Sequence, residues 1–283
     1  MKKLFALLLA LSLLISLPAF AADYGDVFTS FDQRDTWEAA IAITFAEGGA
    51  TVGGTGAQAD GATVRIASPG TYLLSGECAN GQVLVEVSKE DKVQLVFCGL
   101  TLTCEDSAPV YVISADKVSI TLAEGTVNTL ADGVNYTREF EHMPNACIYS
   151  RDDLTINGTG ELTVTGNFNN GIGTKNDLRI VSGTITVGAR KNALKGNDSV
   201  AIREGVITLE AGKDGIKAEN EEEEGKGYVY IAGGTLMITA GDDAIQAQQD
   251  VTITGGEIHV AAKGKTVNSK GTQDVTPGVI TKK

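Results

Sequence analysis

The chain has 283 residues, with 36 acidic and 23 basic side chains and a net charge of −13. Such a balance repels nucleic acid and anionic lipid and attracts divalent cations, so we expect neither nucleic-acid binding nor membrane insertion. No stretch after the first residues is apolar enough to span a membrane. We therefore expect a soluble chain, and we take it to be a monomer.

The N-terminus predicts secretion. Two lysines, Lys2 and Lys3, precede an apolar run at 4–17, and Ala19-Phe20-Ala21 follows as a small-x-small cleavage site. This order is typical of a signal peptide. We predict a signal peptide at 1–21 and a secreted, extracellular mature chain, and attachment to the cell surface stays open.

Internal repeats organise most of the remaining chain. A glycine before a short alternating strand recurs at Gly160, Gly183, Gly205, Gly234 and Gly256, with steps of 23, 22, 29 and 22 residues. A polar residue at a second landmark recurs at Asn170, Asn192, Asp214 and Asp243, with steps of 22, 22 and 29. The long step contains the insertion "ENEEEEGKG". Two independent landmarks with one spacing indicate a true structural repeat.

The repeats favour one fold class. Each unit of about 22 residues holds two or three short strands with Gly, Asn or Asp at the corners, which is typical of a parallel β-helix. A β-sandwich is the alternative, but a sandwich does not need a fixed register over five units. We predict an all-β chain with an N-terminal segment and cap at 22–60, a single-stranded parallel β-helix at 61–267 and a polar tail at 268–283.

Several long motifs resemble one known family. They are "GTYLLSGECANGQVLVEV", "KVSITLAEGTVNTLADG", "NACIYSRDDLTINGTGELTVTGN", "KDGIKAEN" and "GKGYVYIAGGTLMITAGDDAIQA". They are similar, in order, to the clostridial carbohydrate-binding β-helix family, over about Ile43 to Val267. The resemblance implies a right-handed, pectate-lyase-like β-helix that holds calcium and binds cellulose or polygalacturonic acid.

The recurring corner residues suggest a metal site. Asn170 and Asn192 suit a ladder of stacked amides. Asp214 and Asp243 do not, because carboxylates on adjacent coils lie only about 5 Å apart and repel unless they share a proton or a cation. With Asp242 beside them, we predict a calcium site at Asp214, Asp242 and Asp243, and Asn192 as a neighbouring ligand. Plain corner capping of backbone N–H groups is the open alternative.

A basic stripe flanks these corners. Equivalent positions hold lysines in two repeats, Lys191 with Lys213 and Lys195 with Lys217. Lysines beside calcium would suit the carboxylates of an acidic glycan, so we predict these four as carbohydrate-binding residues. Balancing of nearby Asp and Glu charges is the alternative interpretation.

Alternation along the chain also predicts side-chain directions next to the corners. Apolar residues two positions after each landmark are expected to face the core, namely Ile172, Leu194, Ile216 and Ile245. The residues between are small and are expected to face outward, where a ligand can approach the backbone. They are Gly171, Ala193, Gly215 and Ala244.

Three functional classes follow. We favour a non-catalytic binder of plant-type polysaccharide, either cellulose or acidic pectic chains. The first alternative is a calcium-dependent polysaccharide lyase, whose base would be Arg190 or one of the stripe lysines. "GDDAI" resembles the paired aspartates of polygalacturonases, but their G-H-G and R-I-K motifs are missing. The third class is an inert structural or adhesive protein.

The cysteines leave their state open. Cys78, Cys98, Cys104 and Cys147 allow three complete pairings, and the sequence selects none of them. An oxidising compartment permits disulfides, but the strand-like settings suit buried thiols equally well. Zinc is disfavoured, because no C-x-x-C spacing is present.

Overall fold

The structure, a computed structural model, describes residues 27–283 and is built from strands. The predicted signal peptide, 1–21, lies outside the described residues. The first fourteen strands are β1 (Ile41–Ala46), β2 (Gly49–Val52), β3 (Ala57–Asp60), β4 (Thr63–Ile66), β5 (Gly70–Cys78), β6 (Gln82–Glu86), β7 (Lys92–Cys104), β8 (Val110–Ser114), β9 (Lys117–Leu122), β10 (Val127–Asp132), β11 (Ala146–Ser150), β12 (Asp153–Gly158), β13 (Glu161–Gly166) and β14 (Asn170–Thr174). The remainder are β15 (Asp177–Ile180), β16 (Thr184–Ala189), β17 (Leu194–Gly196), β18 (Ser199–Ile202), β19 (Val206–Ala211), β20 (Ile216–Ala218), β21 (Tyr228–Ile231), β22 (Thr235–Ala240), β23 (Ile245–Ala247), β24 (Val251–Ile253), β25 (Glu257–Ala262), β26 (Val267–Ser269), β27 (Gln273–Val275) and β28 (Ile280–Lys282).

These strands form two sheets, of 18 and 10 strands. In the larger sheet, the long strand β7 joins two series of strands, because its first part pairs with β9 and its last part pairs with β10. The smaller sheet runs from β3 to β26 in chain order of its members. Most pairs are parallel, but β1 with β2 and β3 with β4 are antiparallel.

The predicted right-handed, single-stranded parallel β-helix is therefore wrong, although the all-β class is confirmed. The described strands group into two sheets with mixed pairing near the N-terminus rather than into one continuous helical ribbon. Periodicity reports which residues stack on one another. Periodicity does not predict that β7 continues through a corner and joins two series of strands, because this joining depends on the path of one strand.

The repeat sets the register of the sheets. Thr184 pairs with Val206, and Val206 pairs with Thr235 across the acidic insertion. One inward position of each repeat is fully buried, in the register-matched series Ile185, Ile207, Leu236 and Ile258. Burial of each such side chain contributes about 1.5–3 kcal/mol. Stacking of like residues thus builds one continuous core along the repeats.

A second, smaller core lies on the outer face of the 10-stranded sheet. Leu84, Tyr111 and Tyr149 follow one another in register on β6, β8 and β11. The connection between β10 and β11 folds back over them and packs Tyr136 and Phe140 against this cluster. Aromatic side chains therefore cover the N-terminal part of this sheet face, whereas its C-terminal part carries Lys, Gln and Asn.

Residues before β1 lie across the 18-stranded sheet. Asp32 is fully buried there, and its carboxylate accepts hydrogen bonds from the Lys117 ammonium at 2.9 Å and from the Thr155 hydroxyl at 2.5 Å. The Arg179 guanidinium holds the backbone oxygen of Val27 at 2.8 Å. At the other end, residues of the predicted polar tail add β27 and β28 to the same sheet.

All four cysteine side chains are free thiols in the structure. Cys78, Cys104 and Cys147 are buried and Cys98 is partly exposed. Burial raises the pKa of the Cys104 thiol to about 11 and that of Cys147 well above its usual value. Residues 27–283 contain no helix long and apolar enough to cross a membrane.

Candidate functional site

The recurring corner residues form a hydrogen-bonded ladder just before the strands of the smaller sheet. The Asn192 side-chain amide donates to Oδ1 of Asn170 at 2.9 Å. Oδ1 of Asn192 in turn accepts the backbone N–H of Asp214 at 3.2 Å. The predicted stacking of the two asparagines is confirmed.

The two aspartates continue this ladder. Oδ1 of Asp214 accepts the backbone N–H of Asp243 at 3.2 Å, and Oδ1 of Asp243 accepts that of Lys265 at 2.7 Å. The expectation that aspartate does not suit the ladder is thus wrong, because one carboxylate oxygen replaces the amide oxygen as acceptor. The second oxygens meet the Lys217 ammonium at 3.1 Å and the Asn268 amide at 2.6 Å, respectively.

Three carboxylates converge at this end of the ladder. Asp214, Asp242 and Asp243 each present an oxygen, and these oxygens lie within 4.8 Å of one another. Asp214 and Asp243 are 4% and 8% exposed, while Asp242 is exposed. The register places Asp242 beside Lys213, whose carbonyl oxygen accepts its N–H at 3.1 Å. These oxygens suit a hard divalent cation. Because Asp242 is exposed, the cluster is accessible from solvent.

Gly264 follows this cluster in the next repeat. A Cβ atom there would lie 2.5 Å from Oδ1 of Asp243 and 2.9 Å from Oδ1 of Asp242. A side chain at this position would therefore collide with the carboxylates. Glycine leaves the carboxylates of Asp242 and Asp243 free of a covering side chain at this position.

Asn192, the fourth predicted ligand, takes part in the ladder. Its amide nitrogen donates to Asn170 and its amide oxygen accepts from Asp214, so both polar atoms of the side chain serve the ladder. The structure brings the three predicted carboxylates together. Asn192 instead holds the backbone of the first aspartate in place.

The predicted basic stripe divides into two pairs. Lys195 and Lys217 are in register on β17 and β20, and each meets a carboxylate, Glu219 at 2.5 Å and Asp214 at 3.1 Å. Lys191 and Lys213 are exposed and lie on adjacent repeats. Lys195 and Lys217, the inner pair, thus balance nearby negative charge. Lys191 and Lys213, the outer pair, present their ammonium groups to solvent.

The small corner residues do not face outward as predicted. Ala193 and Ala244 are fully buried and belong to the main core. A Cβ atom on Gly215 would lie 2.4 Å from a methyl of Ile238. The adjacent Ile216 is buried as well, because strand β20 begins only there and strict alternation does not hold in the bend before it.

Two contributors from the last repeat were not predicted from the sequence. Lys265 and Asn268 bind the two oxygens of Asp243, yet they stand at the border of the predicted polar tail. Their positions, 22 and 25 residues after Asp243, carried the signal, because they continue the repeat. Nearby, Oε1 of Gln246 is buried and lacks a hydrogen-bond partner among the described residues.

Comparisons with known proteins agree on one family. A solved structure described as the polysaccharide lyase-like protein from C. thermocellum, a gadolinium derivative, is 46% identical, with a TM-score of 0.84; the match covers 87% of this chain and all of that one. A carbohydrate-binding domain-containing protein of Acetivibrio thermocellus is 54% identical over 130 residues, which are 44% of this chain and 45% of the relative. This match therefore spans less than half of the curated relative. A family model for carbohydrate-binding domain-containing proteins matches residues 60–281, and the chain belongs to this family.

Proposed function

We propose that this protein is a secreted, non-catalytic module that binds an acidic polysaccharide through calcium held by Asp214, Asp242 and Asp243. The observation that carries the proposal is the convergence of three carboxylates within 4.8 Å, of which Asp214 is paired with Lys217. Family membership supplies the carbohydrate. The cluster of carboxylates supports calcium as the bound ion. Its exposed member, Asp242, allows a ligand to reach that ion from solvent.

Charge balance supports a cation. Of the three carboxylates, Asp214 is paired with the Lys217 ammonium, and no other ion pair among the described residues reaches Asp242 or Asp243, so this corner keeps an excess of negative charge in a partly buried setting. Like charges at this distance repel, and a divalent ion removes the repulsion while gaining several oxygen ligands.

The outer lysines support an acidic chain. Lys191 and Lys213 are exposed on successive repeats, about 4.8 Å apart along the stack, and Lys213 is in register with Asp242. A uronate carboxylate would complete the coordination of the ion and meet an ammonium group at the same time. Neutral cellulose would gain neither contact, so we favour pectic chains for this surface.

The decisive experiment measures retention of the mature protein on polygalacturonate, with calcium and with chelator. We expect retention in calcium, loss in chelator, and loss in the Asp242→Ala variant. Glu224→Ala is the matched control, because Glu224 is an exposed carboxylate on the acidic insertion outside the cluster. If retention on polygalacturonate is unchanged both in chelator and in the Asp242→Ala variant, the calcium site is refuted.

The same samples separate binding from cleavage. Lyase action leaves an unsaturated uronide that absorbs ultraviolet light, so absorbance is followed during the binding assay. We expect no rise, because the proposed module binds without cleaving; two of the candidate bases, Lys195 and Lys217, already meet Glu219 and Asp214. A calcium-dependent rise that Lys191→Ala or Lys213→Ala abolishes would instead make the protein a lyase.

A further inference from the structure

A second feature lies at a different corner of the molecule. Trp37, the chain's single tryptophan, is 37% exposed and lines a cleft of about 420 Å³ with Asp35, Glu124 and Thr159. This cleft lies at the turn between β12 and β13. The acidic cluster, by contrast, lies between β22 and β23. The two features are therefore separate surfaces.

Buried polar groups hold the segment that carries Trp37. The Gln94 amide donates to the backbone oxygens of Arg34 and Thr36 at 3.3 and 3.4 Å. The Asn157 amide donates to the backbone oxygens of Asp32 and Arg34 at 2.8 and 3.0 Å. A fully buried side chain, that of Gln94, therefore holds the backbone just before Trp37, so this part of the segment is ordered without a ligand.

The cleft continues along the repeats. A neighbouring groove of about 620 Å³ shares Gly158 and Thr159 with it. This groove passes Gly183, Gly205 and Gly234, which stack in register with positive φ angles of 119°, 122° and 94°. A Cβ atom at Gly205 or Gly234 would lie 2.8 or 2.9 Å from the backbone oxygen of the glycine in the preceding repeat, so glycine lets these turns stack closely, and the groove runs along successive repeats about 4.8 Å apart. An aromatic platform thus opens into an extended groove.

The charges in this groove select against acidic ligands. Three charged residues line the cleft or the groove, and all three are exposed carboxylates. Asp35 and Glu124 line the cleft, and Glu204 lines the groove. They would repel a uronate chain. They would also accept hydrogen bonds from sugar hydroxyls, as would the hydroxyls of Thr159 and Ser182.

We propose that the Trp37 cleft and its glycine-lined groove form a second carbohydrate-binding site, which takes a neutral glycan chain with one pyranose ring on the Trp37 indole. A pyranose ring presents an apolar C–H face that packs on an aromatic surface, and its rim of hydroxyls suits the surrounding acceptors. The site needs no metal ion. It is thus independent of the calcium-dependent surface proposed above.

The single tryptophan makes the test direct, because its fluorescence reports on this site alone. The mature protein is titrated with cellohexaose, a neutral oligosaccharide, in the presence of chelator. We expect a saturable change in tryptophan emission that hexagalacturonate does not produce. Asp242→Ala should respond like the parent, which separates this site from the calcium site.

Variants locate the ring contact. In a calorimetric titration with cellohexaose, Trp37→Ala should bind roughly tenfold more weakly, as expected for loss of an aromatic anchor. Trp37→Tyr should recover part of the affinity, and Val134→Ala, which removes an exposed apolar side chain elsewhere, should not change it. Equal affinity of Trp37→Ala and the parent, no fluorescence response to cellohexaose, or a stronger response to hexagalacturonate would each overturn the proposal.

Discussion

Two clusters of three carboxylates lie in different parts of this molecule and differ in how their charge is balanced. On the 18-stranded sheet, Asp32, Asp153 and Asp177 share two cations, Lys117 and Arg179, at distances of 2.6 to 3.6 Å. At the end of the ladder, Asp214, Asp242 and Asp243 converge, and among the described residues the ion pair at this cluster is that of Lys217 with Asp214.

Burial separates the two clusters further. The first is covered by the segment before β1, and Asp32 is fully buried. The second keeps Asp242 exposed. A buried carboxylate must be paired, whereas an accessible group of like charges is stabilised by a bound cation. The first cluster is therefore a structural clamp between the segment before β1 and the sheet, and the second is where we propose that an ion binds.

The largest effect is expected from breaking the clamp. Asp32→Ala leaves Lys117 and Thr155 buried without their shared partner, so the free energy of unfolding should fall by about 3–5 kcal/mol. Denaturant unfolding in chelator measures this. Asp35→Ala, an exposed change in the same segment, should stay within about 0.5 kcal/mol. Similar losses of stability in both variants would contradict the role of Asp32 as a buried clamp residue.

Acid should weaken the same clamp. Burial raises the pKa of Asp32, but hydrogen bonds from Thr155, Thr29 and Lys117 outweigh it, so the pKa lies below the ordinary 3.8. A lowered pKa in the folded state contributes stability that is present above the unfolded value and is lost as pH falls through the folded one. The stability gap between the parent and Asp32→Asn should thus be full above pH 3.8 and narrow below it. A gap that widens in acid would show the opposite sign.

Added calcium is expected to stabilise the folded protein through the carboxylates at the end of the ladder. A ligand that binds only the folded state at one hundred times its Kd stabilises by about 2.7 kcal/mol, so thermal unfolding should shift upward in calcium. Asp242→Ala should lose this shift and, in chelator, should be at least as stable as the parent because one like charge is gone. An unchanged calcium shift in Asp242→Ala would remove Asp242 from the site.

The ladder itself is tested at Asn192. Asn192→Ala leaves the buried N–H of Asp214 without its acceptor and should cost about 1–3 kcal/mol. Asn192→Asp keeps an acceptor but lengthens the run of carboxylates, so its loss should be recovered by calcium. Urea unfolding of both variants, with calcium and with chelator, distinguishes the two results. Equal recovery of both by calcium would argue against charge as the cause.

The smallest effect is expected at Lys217. Its ion pair with Asp214 is partly exposed, so Lys217→Gln should cost no more than about 1 kcal/mol. Loss of the ammonium frees Oδ2 of Asp214, and calcium should bind more tightly by calorimetry. Lys195→Gln, which breaks the pair with Glu219 instead, should leave calcium affinity unchanged. Weaker calcium binding by Lys217→Gln would mean that Lys217 supports the site rather than competing for it.

Periodicity by itself predicted the register of this protein. The 22-residue spacing of Asn170, Asn192 and Asp214 placed these residues above one another, because identical repeats bury their apolar faces only when they stack in line. The repeat spacing also placed Asp243 next to Asp214, and its chain neighbour Asp242 completes the group of three carboxylates. The same pattern identified the apolar residues that face the core.

Only the tertiary structure decided how the strands group into sheets and which charges are balanced. The path of β7 through a corner, the burial of Ala193 in a bend, and the clamp that joins Asp32 to Lys117 across 85 positions leave no periodic signal. Register is a local property that recurs in every repeat, so the sequence displays it. Contacts made once, between distant segments, depend on the packing of the whole chain, so the sequence does not.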